Sequence, residues 1–77
     1  MNYDLAMMAL TGMARAPIAV TTEDGQVVIR ATQASFKELA RLCLLLGGEG
    51  GAESGGFELQ PGVHTAAGTL GMRLDVV

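Results

Sequence analysis

From Pro17 to Leu46 the alternation of apolar and polar positions changes period once, from two to about three and a half. Ile18-Ala19-Val20-Thr21-Thr22 and Val27-Val28-Ile29-Arg30-Ala31 are β-branched runs flanking Glu23-Asp24-Gly25-Gln26. Asp-Gly between such runs predicts a β-hairpin, because a type I′ turn needs positive φ at both central residues. A turn at Asp24-Gly25 sets Thr22 opposite Val27, Val20 opposite Ile29 and Ile18 opposite Ala31, an almost wholly apolar face. Ala19, Thr21, Val28 and Arg30 make up the other, mixed face.

A helix is predicted next. Ser35 with Glu38 three residues on reads as a capping box, with Ala34 and Leu39 at the staple positions. Phe36, Leu39, Ala40, Cys43 and Leu46 recur at helical spacing as the expected buried stripe, flanked by Leu42 and Leu44. Lys37, Glu38 and Arg41 fall opposite, and Leu45 projects into that charged face. A single exposed leucine is ordinary on a monomer, and a packing partner over that face is the alternative. Gly47 is placed at the left-handed stop of the helix.

Residues 47–56 hold six glycines in ten positions, the composition of a flexible connection. They do not make a phosphate-binding loop: the Lys-Ser/Thr ending is missing, a helix precedes them, and Glu49 and Glu53 would repel phosphate. Phe57-Glu58-Leu59-Gln60 alternates and closes on Pro61-Gly62. Leu70, Met72, Leu74 and Val76 alternate with Gly71, Arg73, Asp75 and Val77 as a final half-buried strand. The expected fold is α+β in a ββαββ order, a small antiparallel sheet with one helix packed on one face.

The apolar N-terminal segment, residues 1–16, is open between two readings. Leu5-Ala6-Met7-Met8-Ala9-Leu10 is rich in helix formers, with Asp4 available as a cap. Tyr3, Leu5 and Met7 also share one face of an extended chain. An extra strand follows if the segment joins the sheet, and a short helix if it does not. Ala14-Arg15-Ala16 loosely resembles a leader cleavage site, but the preceding region carries Asp4 and no basic residue. No apolar run approaches the roughly 20 residues of a membrane span, so a cytoplasmic protein without membrane contact is expected.

Composition adds that residues 1–77 form a single domain with a marginal core. Hydrophobic residues are 49% and charged residues 17%, yet a chain this short buries only about 60% of its unfolded surface. The single Cys43 cannot staple it. Self-association as a homodimer is the expected remedy. Net charge is −3, and Arg15, Arg30, Lys37, Arg41 and Arg73 are scattered, which argues against nucleic-acid binding.

Candidate chemistry is sparse. His64 is the only histidine; a metal site would need companions, a general base would need a nucleophile beside it, for which Thr65 or Thr69 is the nearest candidate by sequence, and a solvent-facing loop histidine is the expected reading. Cys43 is expected to be a buried, inert thiol and the methionines core filler, although methionine also suits a partner-binding surface. No catalytic, cofactor or metal residue is assigned, and the chain is not expected to be an enzyme.

The order of an Asp-Gly hairpin, the helix Phe36-Lys37-Glu38-Leu39-Ala40-Arg41-Leu42, a glycine-rich interruption and a short strand leading to His64 resembles the immunity protein 32 family. Those are small bacterial proteins encoded beside polymorphic toxins. The likeness spans roughly residues 17 to 77; the family's pattern has a cluster of histidines near the third strand, where this chain has His64. It implies a protein that neutralises a toxin by binding it. The function expected is therefore a small bacterial protein-binding module, an immunity-type inhibitor, with Leu45, Glu49, Glu53, Glu58 and His64 as candidate partner-binding residues. The acidic ones would meet a basic toxin surface. The alternative is a self-associating structural protein or subunit, joined through a sheet edge or through Met7, Met8, Leu10 and Met13.

Overall fold

A computed structural model describes residues 3–48 and 56–77. The element order is α1 (Tyr3–Arg15), β1 (Ala19–Glu23), β2 (Gln26–Arg30), α2 (Gln33–Gly47), β3 (Phe57–Leu59) and β4 (Met72–Leu74). This is a small α+β fold in which two helices pack against two short antiparallel sheets.

The N-terminal segment is a helix. Leu, Ala and Met dominate it, and Ala6, Ala9 and Met13 recur one and two turns apart on its buried face. Asp4 in the first turn and Arg15 in the last both favour the helix dipole. The helix stops before Pro17, which restrains Ala16 from helical geometry, and the Ala16 N–H closes the last turn onto the Met13 carbonyl at 3.2 Å.

β1 and β2 pair in the expected register, with Val20 opposite Ile29, Thr21 opposite Val28 and Thr22 opposite Val27. Asp24 and Gly25 have φ of 51° and 77°, as the turn requires. The apolar face is used unevenly. Ile18 and Val20 are buried at the root, whereas Val27 near the tip is exposed. Arg30 reaches back along the hairpin to Glu23 at 2.9 Å; that hydrogen bond, with the guanidinium charge, holds the Glu23 carboxyl below its ordinary pKa.

α2 departs from expectation in three ways. Its cap is Thr32, whose Oγ1 accepts the Ser35 N–H at 3.1 Å, one turn ahead of the expected box. Ser35 is instead buried, and its hydroxyl donates to the Ala16 carbonyl at 2.6 Å, tying the start of α2 to the end of α1. The buried face is also rotated: Leu42 is fully buried, Leu39 and Leu45 pack on the core, and Phe36, Ala40 and Cys43 are exposed. The cause is α1, which lies alongside α2 and gives it a second surface to cover. Finally, Gly47 is still helical and Gly48 is extended (φ −85°, ψ 177°), so the helix does not end in a left-handed residue.

β3 and β4 pair with Phe57 opposite Leu74, Glu58 opposite Arg73 and Leu59 opposite Met72. The four strands form two separate two-stranded sheets rather than one. The connection between β3 and β4 joins them, lying along the outer edge of β1. Ile18 N–H donates to the His64 carbonyl at 3.1 Å, Ala66 N–H to the Ile18 carbonyl at 2.7 Å, and Leu70 N–H to the Val20 carbonyl at 2.8 Å. Ala6, Ala9, Met13, Ile18, Val20, Leu42 and Leu59 therefore meet in one core between the helices and both hairpins. Residues 49–55, with Glu49, Glu53 and most of the expected flexible loop, lie outside the described residues.

Candidate functional site

Among the described residues, a concave surface runs between the two helices. Ser35 at the start of α2 meets Ala16 just past α1, while Leu5 at the start of α1 shares a depression with Leu44 and Leu45 near the end of α2. The helices are thus antiparallel, and two adjoining depressions follow their seam. One, of about 340 Å³, is lined by Met8, Thr11, Gly12, Arg15, Glu38 and Arg41. The other, of about 280 Å³, is lined by Leu5, Arg41, Leu44 and Leu45. Arg41 borders both, so the groove is polar at one end and apolar at the other.

Gly12 shapes the polar end. A Cβ at that position would lie 3.0 Å from the Glu38 Cγ, so any side chain there would push the Glu38 chain back from α1 by a few tenths of an ångström. Glu38 Oε1 accepts from Arg41 Nη1 at 2.6 Å, and the shielded Oε2 has no hydrogen-bond partner among the described residues. Arg15 forms no ion pair with the described residues around it. At the apolar end Leu44 is 74% exposed and Leu5 47%, and Met8, which borders the adjoining polar depression, is 64% exposed. Large apolar side chains grouped in this way mark contact surfaces more often than isolated ones do.

The candidates chosen from sequence lie on three different elements. Leu45 is on α2, half-buried at the floor of the apolar depression rather than projecting from a charged face. Glu58 is on β3, exposed and directly across from Arg73. Arg73 also donates from Nε to Asp75 at 3.0 Å; that bond and the Asp75 charge push its pKa further up, with Glu58 adding to the effect. Glu58 therefore faces a basic neighbour within its own hairpin and forms no acidic cluster among the described residues.

His64 belongs to the tight turn after β3. The Gln60 carbonyl accepts from the N–H groups of Val63, His64 and Thr65, and the Gln60 N–H donates to His64 Nδ1 at 3.2 Å. The imidazole thus holds its own loop, and the next residue, Thr65, is fully buried with a hydroxyl that has no partner among the described residues. The fold does not bring Leu45, Glu58 and His64 together into one site. Among the described residues no group of three or more His, Cys, Asp or Glu side chains is placed to hold a metal, and no helix is long and apolar enough to cross a membrane.

Leu5, Arg15 and Leu44 were not among the sequence candidates, and Met8 entered only through the self-association alternative. The signal was the helical spacing of Leu5, Met8 and Arg15, which has meaning only once residues 3–15 are known to be a helix. No family model, no curated protein and no solved structure matches this chain.

Proposed function

We propose that this chain is a non-enzymatic protein-binding module and that the seam between α1 and α2 is its contact surface. The observation that supports it is the grouping of Leu5, Met8 and Leu44, all largely exposed, along a groove with Leu45 at its floor and Arg15 and Arg41 at its polar end. A groove between paired helices fits a third helix, whose apolar face enters the depression while its polar face stays wet. Methionine adapts to such a surface at little cost.

Neutralising a toxin is the biological form that the resemblance to the immunity protein 32 family suggests, in a bacterial, cytoplasmic setting. An acidic segment of the toxin would suit Arg15 and Arg41 better than a basic one. The test is calorimetric titration of the chain with the product of the gene beside its own, using wild type and Leu44→Glu. Binding that the substitution weakens at least about tenfold supports the reading, since a buried charge at a contact centre costs more than about 1.4 kcal/mol. A product that binds both proteins equally rules out the groove, and a product that neither binds nor is neutralised rules out the toxin-directed form. Self-association is the second reading, favoured by the two exposed methionines on the outer side of α1.

A further inference from the structure

We propose that the occupant of the helical surface is a second copy of this chain, with its α1 lying antiparallel against the first. The inference rests on the reading of that surface as the protein contact and names its partner.

It comes from how charge is placed along α1. At about 100° per residue, Asp4, Met8, Thr11 and Arg15 fall on one stripe, turned directly away from Ala6, Ala9 and Met13. All four are exposed. An acid stands at the start of that stripe and a base at its end, roughly three turns apart. Such a stripe is complementary to itself only when reversed. A two-fold axis over the middle of α1 sets Asp4 against the second copy's Arg15, Arg15 against its Asp4, and Met8 against its Thr11. A parallel pairing would instead set acid on acid and base on base. Isologous contacts of this type close on themselves as dimers.

The apolar surface fits the same arrangement. Met7 and Met8 flank the axis, and Leu5, Arg41 and Leu44 border it on the side of α2. α1 alone is roughly 20 Å long, too short to bury the ~1,200 Å² of a standard interface. The groove residues of α2 must therefore share the contact, and the dimer should be concentration-dependent.

Sedimentation velocity across a concentration series, on wild type, Asp4→Lys, Arg15→Glu and an equimolar mixture of the two variants, tests this. Each variant alone sets like charges together twice and should dimerise about tenfold more weakly or worse. In the mixed dimer the introduced lysine of one chain meets the introduced glutamate of the other. The native Arg15 of the first chain meets the native Asp4 of the second. Both ends are then attractive, and dimerisation should return to near the wild-type level. Met8→Glu, which spares both charges, should also weaken it, and circular dichroism at 222 nm confirms that each variant is helical. A wild-type chain that stays monomeric throughout overturns the proposal, as does a mixture no tighter than its components. If the chain is monomeric while Leu44→Glu still weakens a partner's binding, the second copy is refuted and the contact surface stands.

Discussion

Leu42 and Cys43 are neighbours on α2 and assign its buried face in opposite ways, so substituting each in turn measures the rotation of the helix. Leu42 is fully buried among α1, β1 and β3 residues, and Cys43 is exposed. Leu42→Ala truncates a buried side chain and leaves a cavity, at a cost of about 2–5 kcal/mol. A 77-residue domain has a total stability on the order of 4–12 kcal/mol. A loss of about 3 kcal/mol would take a large share of that and lower Tm by roughly 12–24 °C at fixed protein concentration. Cys43→Ser, at an exposed position, should stay within about 0.5 kcal/mol of wild type. Urea denaturation followed at 222 nm gives both values. The native Cys43 thiol should also react with a disulfide reagent nearly as fast as in urea. Equal losses for the two variants, or a thiol that reacts only after unfolding, would refute the observed packing and restore the stripe centred on Cys43.

Two further substitutions probe the second hairpin. Gly56 has φ of 121°, and a Cβ there would collide with the Leu74 carbonyl oxygen; Gly56→Ala should therefore cost about 3 kcal/mol or more, combining backbone strain with displacement of β3 from β4. A thermal melt within a degree or two of wild type would contradict that. Thr65→Val replaces a buried hydroxyl, without a partner among the described residues, by a methyl of similar shape and should raise stability by about 1 kcal/mol, measured by urea denaturation. A loss of that size would mean the hydroxyl has a partner.

The sequence was most legible where structure is decided locally. Asp24-Gly25 determines its own turn and, by counting, the whole β1–β2 register. The alternation through Leu59 and through Met72 and Leu74 was sufficient to find β3 and β4. It was not sufficient for sheet membership, because the edge of β1 is taken by residues 64–70 through backbone groups that leave no side-chain pattern. The rotation of α2 was hidden for a related reason. Phe36, Cys43 and Leu42 are all apolar, so periodicity allowed two neighbouring faces, and the position of α1 chose between them. The nature of α1 was itself undecided from propensity, since a run of Leu, Ala and Met suits a helix yet does not forbid a strand. The helical groove depends on both answers, which is why its residues could not be found before either was known.

The same backbone pairing limits strand addition as a route to the proposed contact. Strand addition needs an open edge of useful length, and here few remain. The outer edge of β1 is occupied by the connection between β3 and β4. β3 and β4 are three residues each, too short to template a stable pairing. Among the described residues this leaves β2, five residues long, with Arg30 at its end pinned to Glu23. A surface of one short edge offers little apolar area, because Ile29 already packs inward on the core. The helices offer the reverse: their backbone groups bond within the helix, and their apolar side chains stand in water. Leu5, Met8 and Leu44 are exposed along the seam between the helices, so burial there brings a hydrophobic gain. That contrast is why the proposed contact is drawn through side chains of α1 and α2 rather than through strand pairing.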